Sequence, residues 1–524
     1  MLCQYTVLDF TRGTGPLDDI VSFFITMGSP AFAAYSLQIT HLNKYWITVA
    51  FMDVEYPNSE HMATVLKAIH HIPIRWEYTP PFLHSLIVLP ENDKFWSQLA
   101  TANKTRRWSI PLVMSYVLVI FSLLLTTADS ISSRPGDIGY SIAAVWTFLL
   151  PLIIGWLYIG CEPEPSHLRN ALAAANQNVW IATEQRGHPV KMTYPKAMEF
   201  AKASGMDTEA ENMDADAGGV DLARNDELKP VPVFNYSRAF LTPMTADVVL
   251  RLVKNAAANA RHEIPVRNSV GIGGVPVWVQ GEAGKISSQN RIGTTAEVVE
   301  YCTRVLRPPK PNSGFITPLE IQSSEMTDAT YPFLDHGLVV PSRWAPGVWK
   351  RVVVSSVLAL GLQWGTVGAA VFIHYIAPPI GLGCRSFSFL LYGVAGTFAF
   401  FLFLASSILA HMSRPLPGRT STRSRSRTYQ DAGATICRWL GKLVAIASAI
   451  GILLVCFFQV TGAFNNCYCN STIFNKGRHF VVITGINYAP DTRIIWLWIS
   501  GLIIAFVTAI LFGFSMYAGL PPRR

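Results

Sequence analysis

Six stretches of this chain, 110–128, 138–160, 352–376, 387–412, 439–461 and 494–517, are apolar and carry almost no charge. A hydrocarbon slab about 30 Å thick selects runs of about 20 such residues. Backbone polar groups must be satisfied internally at that depth, so each run is predicted to be a helix. The fold class that follows is an all-α membrane protein. It has about six transmembrane helices, a mainly helical cytosolic N-terminal region and a long cytosolic loop. Half of the 524 residues are apolar and only 15% are charged, too oily for a soluble protein of this size. Trp108, Trp349, Trp439, Trp496 and Trp498 fall near the ends of the runs, where indole rings sit among headgroups.

Orientation follows from the arginines. The most basic short segment lies between the fourth and fifth runs: Arg414, Arg419, Arg423, Arg425 and Arg427, then Arg438 and Lys442. Basic loops resist translocation, so this one marks the cytosolic side. An even number of spans puts both termini and the second loop on the same side. Lys104, Arg106 and Arg107, then Arg343, Lys350 and Arg351, then Arg523 and Arg524 all agree. The opposite face receives only Arg134, Arg385, Lys476, Arg478 and Arg493. The predicted location is a plasma membrane or endomembrane with both termini cytosolic. The net charge of +8 sits beside the apolar runs, so the partners it implies are the lipid bilayer and anionic lipid at the basic loop, and no nucleic acid is expected.

The organisation is read as an N-terminal membrane-proximal region 1–109, a transmembrane hairpin 110–160, a cytosolic loop domain 161–351, a four-helix transmembrane region 352–518 and a tail 519–524. Residues 20–37 are a candidate extra span weakened by Ser22, Thr26, Gly28, Ser29 and Pro30. No cleavable signal peptide is visible at the start of the chain. Short surface helices are expected over 38–107, among them 91–102, whose Phe95, Trp96 and Leu99 share a face. In the long loop, Ser166 opens a predicted helix through Glu184. Thr242 with Pro243 opens another, and Thr294 with Glu297 has capping-box spacing ahead of a third that Pro308 and Pro309 stop. The stretch 205–230 is acidic and short of large apolar residues, and is predicted to be disordered. The basic loop 413–436, rich in Ser, Thr and Arg, is predicted to be flexible.

Motifs for catalysis are missing from the sequence: there is no G-x-x-x-x-G-K, no H-E-x-x-H and no G-x-S-x-G. No catalytic residue, cofactor or metal site is assigned. Asp214-Ala215-Asp216 has a D-x-D form within an acidic tract, and Gly271, Gly273 and Gly274 precede Pro276 where no helix begins. Both read as plain sequence. His61, His70 and His71 could ligate a metal only if the fold gathered them. Within the spans, costly ionisable residues would point to function. The only intramembrane polar residues of note are Gln363, His374 and Gln459, for which interhelical hydrogen bonding suffices. Without buried Asp, Glu, Lys or Arg, ion-coupled transport is disfavoured. Gly361, Gly365 and Gly368, with Gly393 and Gly396, give the third and fourth spans small-residue faces.

On the outer side, Asn470-Ser471-Thr472 is a glycosylation acceptor, whereas Asn235-Tyr236-Ser237 and Asn103-Lys104-Thr105 lie on the cytosolic side and should stay bare. Cys384, Cys467 and Cys469 also face the oxidising compartment, so Cys384 is a candidate to bridge one of the other two. The eight cysteines include no C-x-x-C pair.

Several phrases occur together: Gly28-Ser29-Pro30-Ala31 with Tyr35-Ser36-Leu37-Gln38, Pro81-Phe82-Leu83-His84-Ser85-Leu86, Arg106-Arg107-Trp108-Ser109-Ile110-Pro111, Gln363-Trp364-Gly365-Thr366, and Gly381-Leu382-Gly383-Cys384-Arg385-Ser386. Over about 28–517 the chain resembles a group of uncharacterised multi-pass membrane proteins of filamentous fungi. The resemblance implies a fungal membrane setting and carries no activity, substrate or site residue with it. The weak first apolar segment departs from a full-length member and points to a shortened N-terminus.

The leading functional reading is binding or scaffolding, with the cytosolic loops as docking surfaces for a cytosolic protein partner. Phosphorylation of Thr420, Ser421, Thr422, Ser424 or Ser426 would release the basic loop from anionic lipid. The rival is a carrier or channel for an uncharged or apolar small molecule. An intramembrane enzyme resting on His374 and the histidines near the N-terminus is third.

Overall fold

The computed structural model describes residues 16–68, 80–102, 120–121, 144–159, 174–175, 178–184, 189–191, 226, 232–267, 278–281, 285–303, 342–376, 381–414, 425–461, 463–464 and 492–518. The helices are α1 (Pro16–Gly28), α2 (Pro30–Met52), α3 (Ser59–Ala68), α4 (Pro80–Val88), α5 (Asp93–Ala102), α6 (Leu149–Ile159), α7 (Leu241–Arg261), α8 (Thr295–Thr303), α9 (Val348–Ile376), α10 (Cys384–Ser413), α11 (Arg425–Val460) and α12 (Thr492–Ala518). Among the described residues the only strands are β1 (Trp180–Ile181) and β2 (Val190–Lys191), an antiparallel pair.

Among the described residues four helices are long and apolar enough to cross a membrane: Val348–Ile376, Cys384–Ser413, Thr428–Gln459 and Trp496–Tyr517. They coincide with the third to sixth predicted runs. Their exposed faces carry Val353 and Val357, Leu391 and Phe398, Leu443 and Leu454, and Ile503 and Ile510, the apolar exterior that a helix bundle shows to lipid. The first predicted run lies outside the described residues apart from 120–121. The second is described only as the shorter apolar stretch Ala144–Trp156.

The segment 20–37, a doubtful span in the sequence, is the centre of the bundle. It belongs to a helix pair, Ile20–Gly28 and Pro30–Met52, bent by 103°. Pro30 has no backbone N–H to continue α1 and is pre-set for the first turn of a new helix, so the chain breaks at Ser29 (φ −142°, ψ 83°). α1 packs on α11 and α2 on α9. The bend is held near the middle of three spans. Ser29 Oγ donates to Gly396 O of α10 (2.6 Å), Ala31 N to Gln363 Oε1 of α9 (3.0 Å), and a Cβ on Gly28 would lie 1.7 Å from Ala445 O of α11. That obstacle is backbone and cannot swing away. We expect Gly28→Ala to destabilise the protein by about 1–3 kcal/mol or more. Gly361→Ala, which meets nothing within 4 Å, should be silent in the same thermal melt.

A second core lies beyond the bundle. It joins Ile47 and Phe51 at the end of α2 to Tyr56, Leu66, Leu86 and Trp96, and to Val249, Val253, Val298 and Tyr301 from the long loop. The N-terminal region and the loop domain, separate in the sequence reading, therefore share one interior, and α2 is the strut from this core into the bundle. Arg291 closes the join. Its Nε donates to Val88 O (2.8 Å), and its two terminal nitrogens grip the Asp93 carboxylate at 2.7 and 2.9 Å. Asn255 and Asn259 donate to Cys302 O (2.8 Å) and Tyr301 O (2.7 Å), covering carbonyls at the end of α8. At the other end, Thr294 N donates to Glu297 Oε2 (2.7 Å) and Glu297 N to Thr294 Oγ1 (3.4 Å), the capping box expected there. α7 begins at Leu241, beside the predicted Thr242-Pro243 start.

Three local expectations fail. The helix predicted from Ser166 to Glu184 gives way to β1 at Trp180, because Asn92 Oδ1 takes Trp180 N (2.8 Å) and Ser85 Oγ takes Ala182 N (3.2 Å). The predicted flexible loop 413–436 is helical from Arg425, since nothing from there to the span breaks a helix that the apolar half propagates. Asp226, inside the stretch 205–230 predicted to be disordered, is fully buried. The remainder of 205–230 lies outside the described residues.

Candidate functional site

Two polar joints stand out in an otherwise apolar bundle. The first is the bend. Gln363 is fully buried and uses both ends of its amide: Oε1 accepts from Ala31 N, while Nε2 donates to Gly393 O (2.8 Å) and Thr397 Oγ1 (2.8 Å). Trp364 Nε1 also reaches Thr397 Oγ1 (3.1 Å). From the other side Tyr392 OH donates to Met27 O (2.5 Å) at the end of α1. A broken helix exposes an orphan N–H and orphan carbonyls, which are costly in hydrocarbon. Gln363 and Tyr392 satisfy them from neighbouring helices. Gln363 is thus more than an interhelical tie: it caps α2.

The second joint lies where the 3-10 turn Pro232–Arg238 of the long loop meets α2, α10 and α11. Ser36 Oγ donates to Val233 O (3.1 Å), Asn43 Nδ2 to Ala239 O (3.0 Å) and Ser407 Oγ to Tyr236 O (3.1 Å). Phe32, Tyr236 and Phe403 stack between them, Phe32 lying 4.1 Å from Phe403 and 4.8 Å from Tyr236. Beside this stack the Asp226 carboxylate accepts from Lys442 Nζ (2.7 Å) and Tyr236 OH (3.0 Å), with Arg438 Nε at 3.9 Å. All four side chains are buried. Low local dielectric makes such an arrangement strong when complete and costly when broken. Asn235, of the Asn235-Tyr236-Ser237 sequon, is fully buried, with Nδ2 3.4 Å from Thr40 Oγ1 and Oδ1 accepting from Arg238 (2.8 Å).

The expectation of a bundle without buried charge is therefore corrected. Arg438 and Lys442, read as markers of the cytosolic side, turn inward to Asp226. Arg351, read as a flanking charge, is 8% exposed. Its Nε donates to Asn43 Oδ1 (2.8 Å), one terminal nitrogen donates to Pro346 O (3.0 Å), and its guanidinium lies 4.7 Å from the Trp46 ring. The sequence carried one usable signal for the bend, the Gly28-Ser29-Pro30 break inside an apolar run. It carried none for Asp226, one acidic residue among many.

The other sequence candidates are not gathered. His374 stacks on Phe389 (5.2 Å) near the end of α9, and Gln459 is buried near the end of α11. Cys384 is disulfide-bonded. Cys467, Cys469, Asn470, His70, His71, Asp214, Asp216, Gly271, Gly273, Gly274 and the basic-loop hydroxyls at 420–424 lie outside the described residues. His61 Nδ1 is 3.3 Å from Asn58 Oδ1, and no group of three or more potential ligands that could hold a metal occurs among the described residues. In the second core, Cys302 is fully buried, and burial pushes its thiol well above the ordinary range.

Comparison with protein-family models, with curated proteins and with solved structures finds no match. What the fold defines is a class, a helical protein that has, among the described residues, four apolar helices of membrane-crossing length, three of them packed on a bent helix pair.

Proposed function

We propose that this is a six-span membrane protein with both termini in the cytosol that acts by binding, its cytosolic domain serving as the docking surface for a protein partner. The observation that supports this reading is what fills the bundle. The bent pair α1–α2 occupies the space between α9 and α11, the helices of the third and fifth predicted runs, through contacts close enough to involve backbone on both sides. A route for a solute would have to displace it. The docking domain is in turn fastened rigidly to the membrane part by α2 and by the 232–240 segment. On this reading anionic lipid meets the basic segment 414–427, Asn470 carries a glycan, Cys384 pairs with Cys467 or Cys469, and the setting is a fungal plasma membrane or endomembrane.

A carrier for an uncharged or apolar small molecule is the second reading, and one observation favours it. A helix broken near the middle of a membrane is how many carriers hold a substrate. Uptake and efflux assays on a deletion strain separate the two. Binding predicts unchanged accumulation of neutral solutes together with loss of a co-purifying protein; altered accumulation of any such solute would move the assignment to a carrier.

A further inference from the structure

α2 and α9 are antiparallel and in fixed register. Ala31 meets Gln363 and Asn43 meets Arg351, twelve residues apart on each helix, about 18 Å. On α9 the residues Arg351, Ser355, Ala359 and Gln363 form one i, i+4 ridge whose two ends both touch α2, so Ser355 lies in the interface. The matching ridge of α2 is Ala31, Tyr35, Ile39 and Asn43. Three donors on these ridges are buried without a hydrogen-bond partner: the second terminal nitrogen of Arg351, Ser355 Oγ and Tyr35 OH. Ser355 is 0% and Tyr35 1% exposed. Gln38 Oε1 and His41 Nε2 on the flank of α2 are likewise buried and without a partner.

Arg351 is the decisive member. Both of its existing acceptors, Asn43 Oδ1 and Pro346 O, are neutral, and no carboxylate among the described residues lies within ion-pair distance. Trp46 holds the guanidinium plane in place. A buried charge without a counter-charge costs several kcal/mol, and here the unused nitrogen belongs to a residue one helical turn from a second buried donor without a partner, Ser355 Oγ. The geometry points to a bound oxyanion. We propose that Arg351, with Ser355 one turn along the same ridge, forms a binding site for a phosphate or carboxylate group at the cytosolic end of the α2–α9 interface. The phosphate of a membrane lipid and a free anion share this chemistry. The site is independent of whether the cytosolic domain docks a protein.

The test uses the full chain in phosphatidylcholine nanodiscs, with thermal stability read against added phosphatidic acid in the bilayer or inorganic phosphate in solution. A saturable rise in midpoint with phosphatidic acid alone assigns a lipid headgroup; a rise with inorganic phosphate as well assigns a free anion. Ser355→Ala, which removes no existing hydrogen bond, should weaken the apparent affinity about tenfold, the loss of one hydrogen bond to a charged group. Arg351→Met should abolish the response and, having shed an unpaired charge, should still fold in the neutral bilayer. The proposal is overturned if wild type responds to neither probe, or if both variants respond as wild type does.

Discussion

Gln363→Leu is expected to lower stability by about 2–4 kcal/mol. The sum is physical. The glutamine makes three hydrogen bonds, two buried ones to Ala31 N and Gly393 O and a part-buried one to Thr397 Oγ1, each worth about 0.6 to 1.7 kcal/mol between membrane helices. Leucine also leaves Ala31 N facing hydrocarbon unpaired, which adds a desolvation penalty. Gly393 O is spared, because Thr397 Oγ1 also donates to it (2.8 Å). Trp364→Phe supplies the scale, since it removes a single bond to Thr397 and should cost about 1 kcal/mol. Thermal denaturation of the purified protein in one detergent gives both values. Hydrogen exchange should locate the damage, with faster exchange of amides at 20–35 and little change in the second core. Equal losses for the two variants would show that the bend is not held by the Gln363 amide.

The helices α9 to α12 were legible because hydrocarbon imposes a length and a composition on each helix separately. No knowledge of neighbours was needed. The capping box at Thr294 and Glu297 and the start of α7 at Thr242-Pro243 were legible for the same reason, being local. What failed depended on a distant partner. Trp180 leaves the helical path because Asn92 and Ser85 offer its neighbourhood hydrogen bonds across a long sequence gap. The segment 20–37 looked too polar to span, yet Ser29 and the amide of Ala31 are satisfied by Gly396 and Gln363, more than three hundred residues away. Arg351, Arg438 and Lys442 obey the charge rule for cytosolic flanks and were read only as such. A topological signal and a structural role can rest on one side chain, and a sequence displays only the first. For the candidate site, Gln363 was identifiable by its polarity in an apolar run, whereas its acceptors and the bend it caps were not.

Lys442→Met alone is expected to cost about 3–5 kcal/mol, more than the double variant Asp226→Asn with Lys442→Met. Removing the ammonium strands a carboxylate in the interior with Tyr236 OH at 3.0 Å and Arg438 Nε no nearer than 3.9 Å. Converting the aspartate to its neutral amide removes that charge while leaving an acceptor for the tyrosine. A double-mutant cycle on thermal or denaturant midpoints would therefore yield a coupling of about 2 kcal/mol or more, in the sense that the second substitution rescues the first. The consequence reaches beyond stability, because Asp226 stands just ahead of the turn that fastens the long loop to α2, α10 and α11. With the carboxylate stranded, the 232–240 segment should loosen first, and protease cleavage near it should accelerate before the spans unfold. Additive losses with no change in cleavage would mean that the loop is held by the Phe32, Tyr236 and Phe403 cluster and its backbone hydrogen bonds, and that the ion pair contributes nothing to joining the second core to the helix bundle.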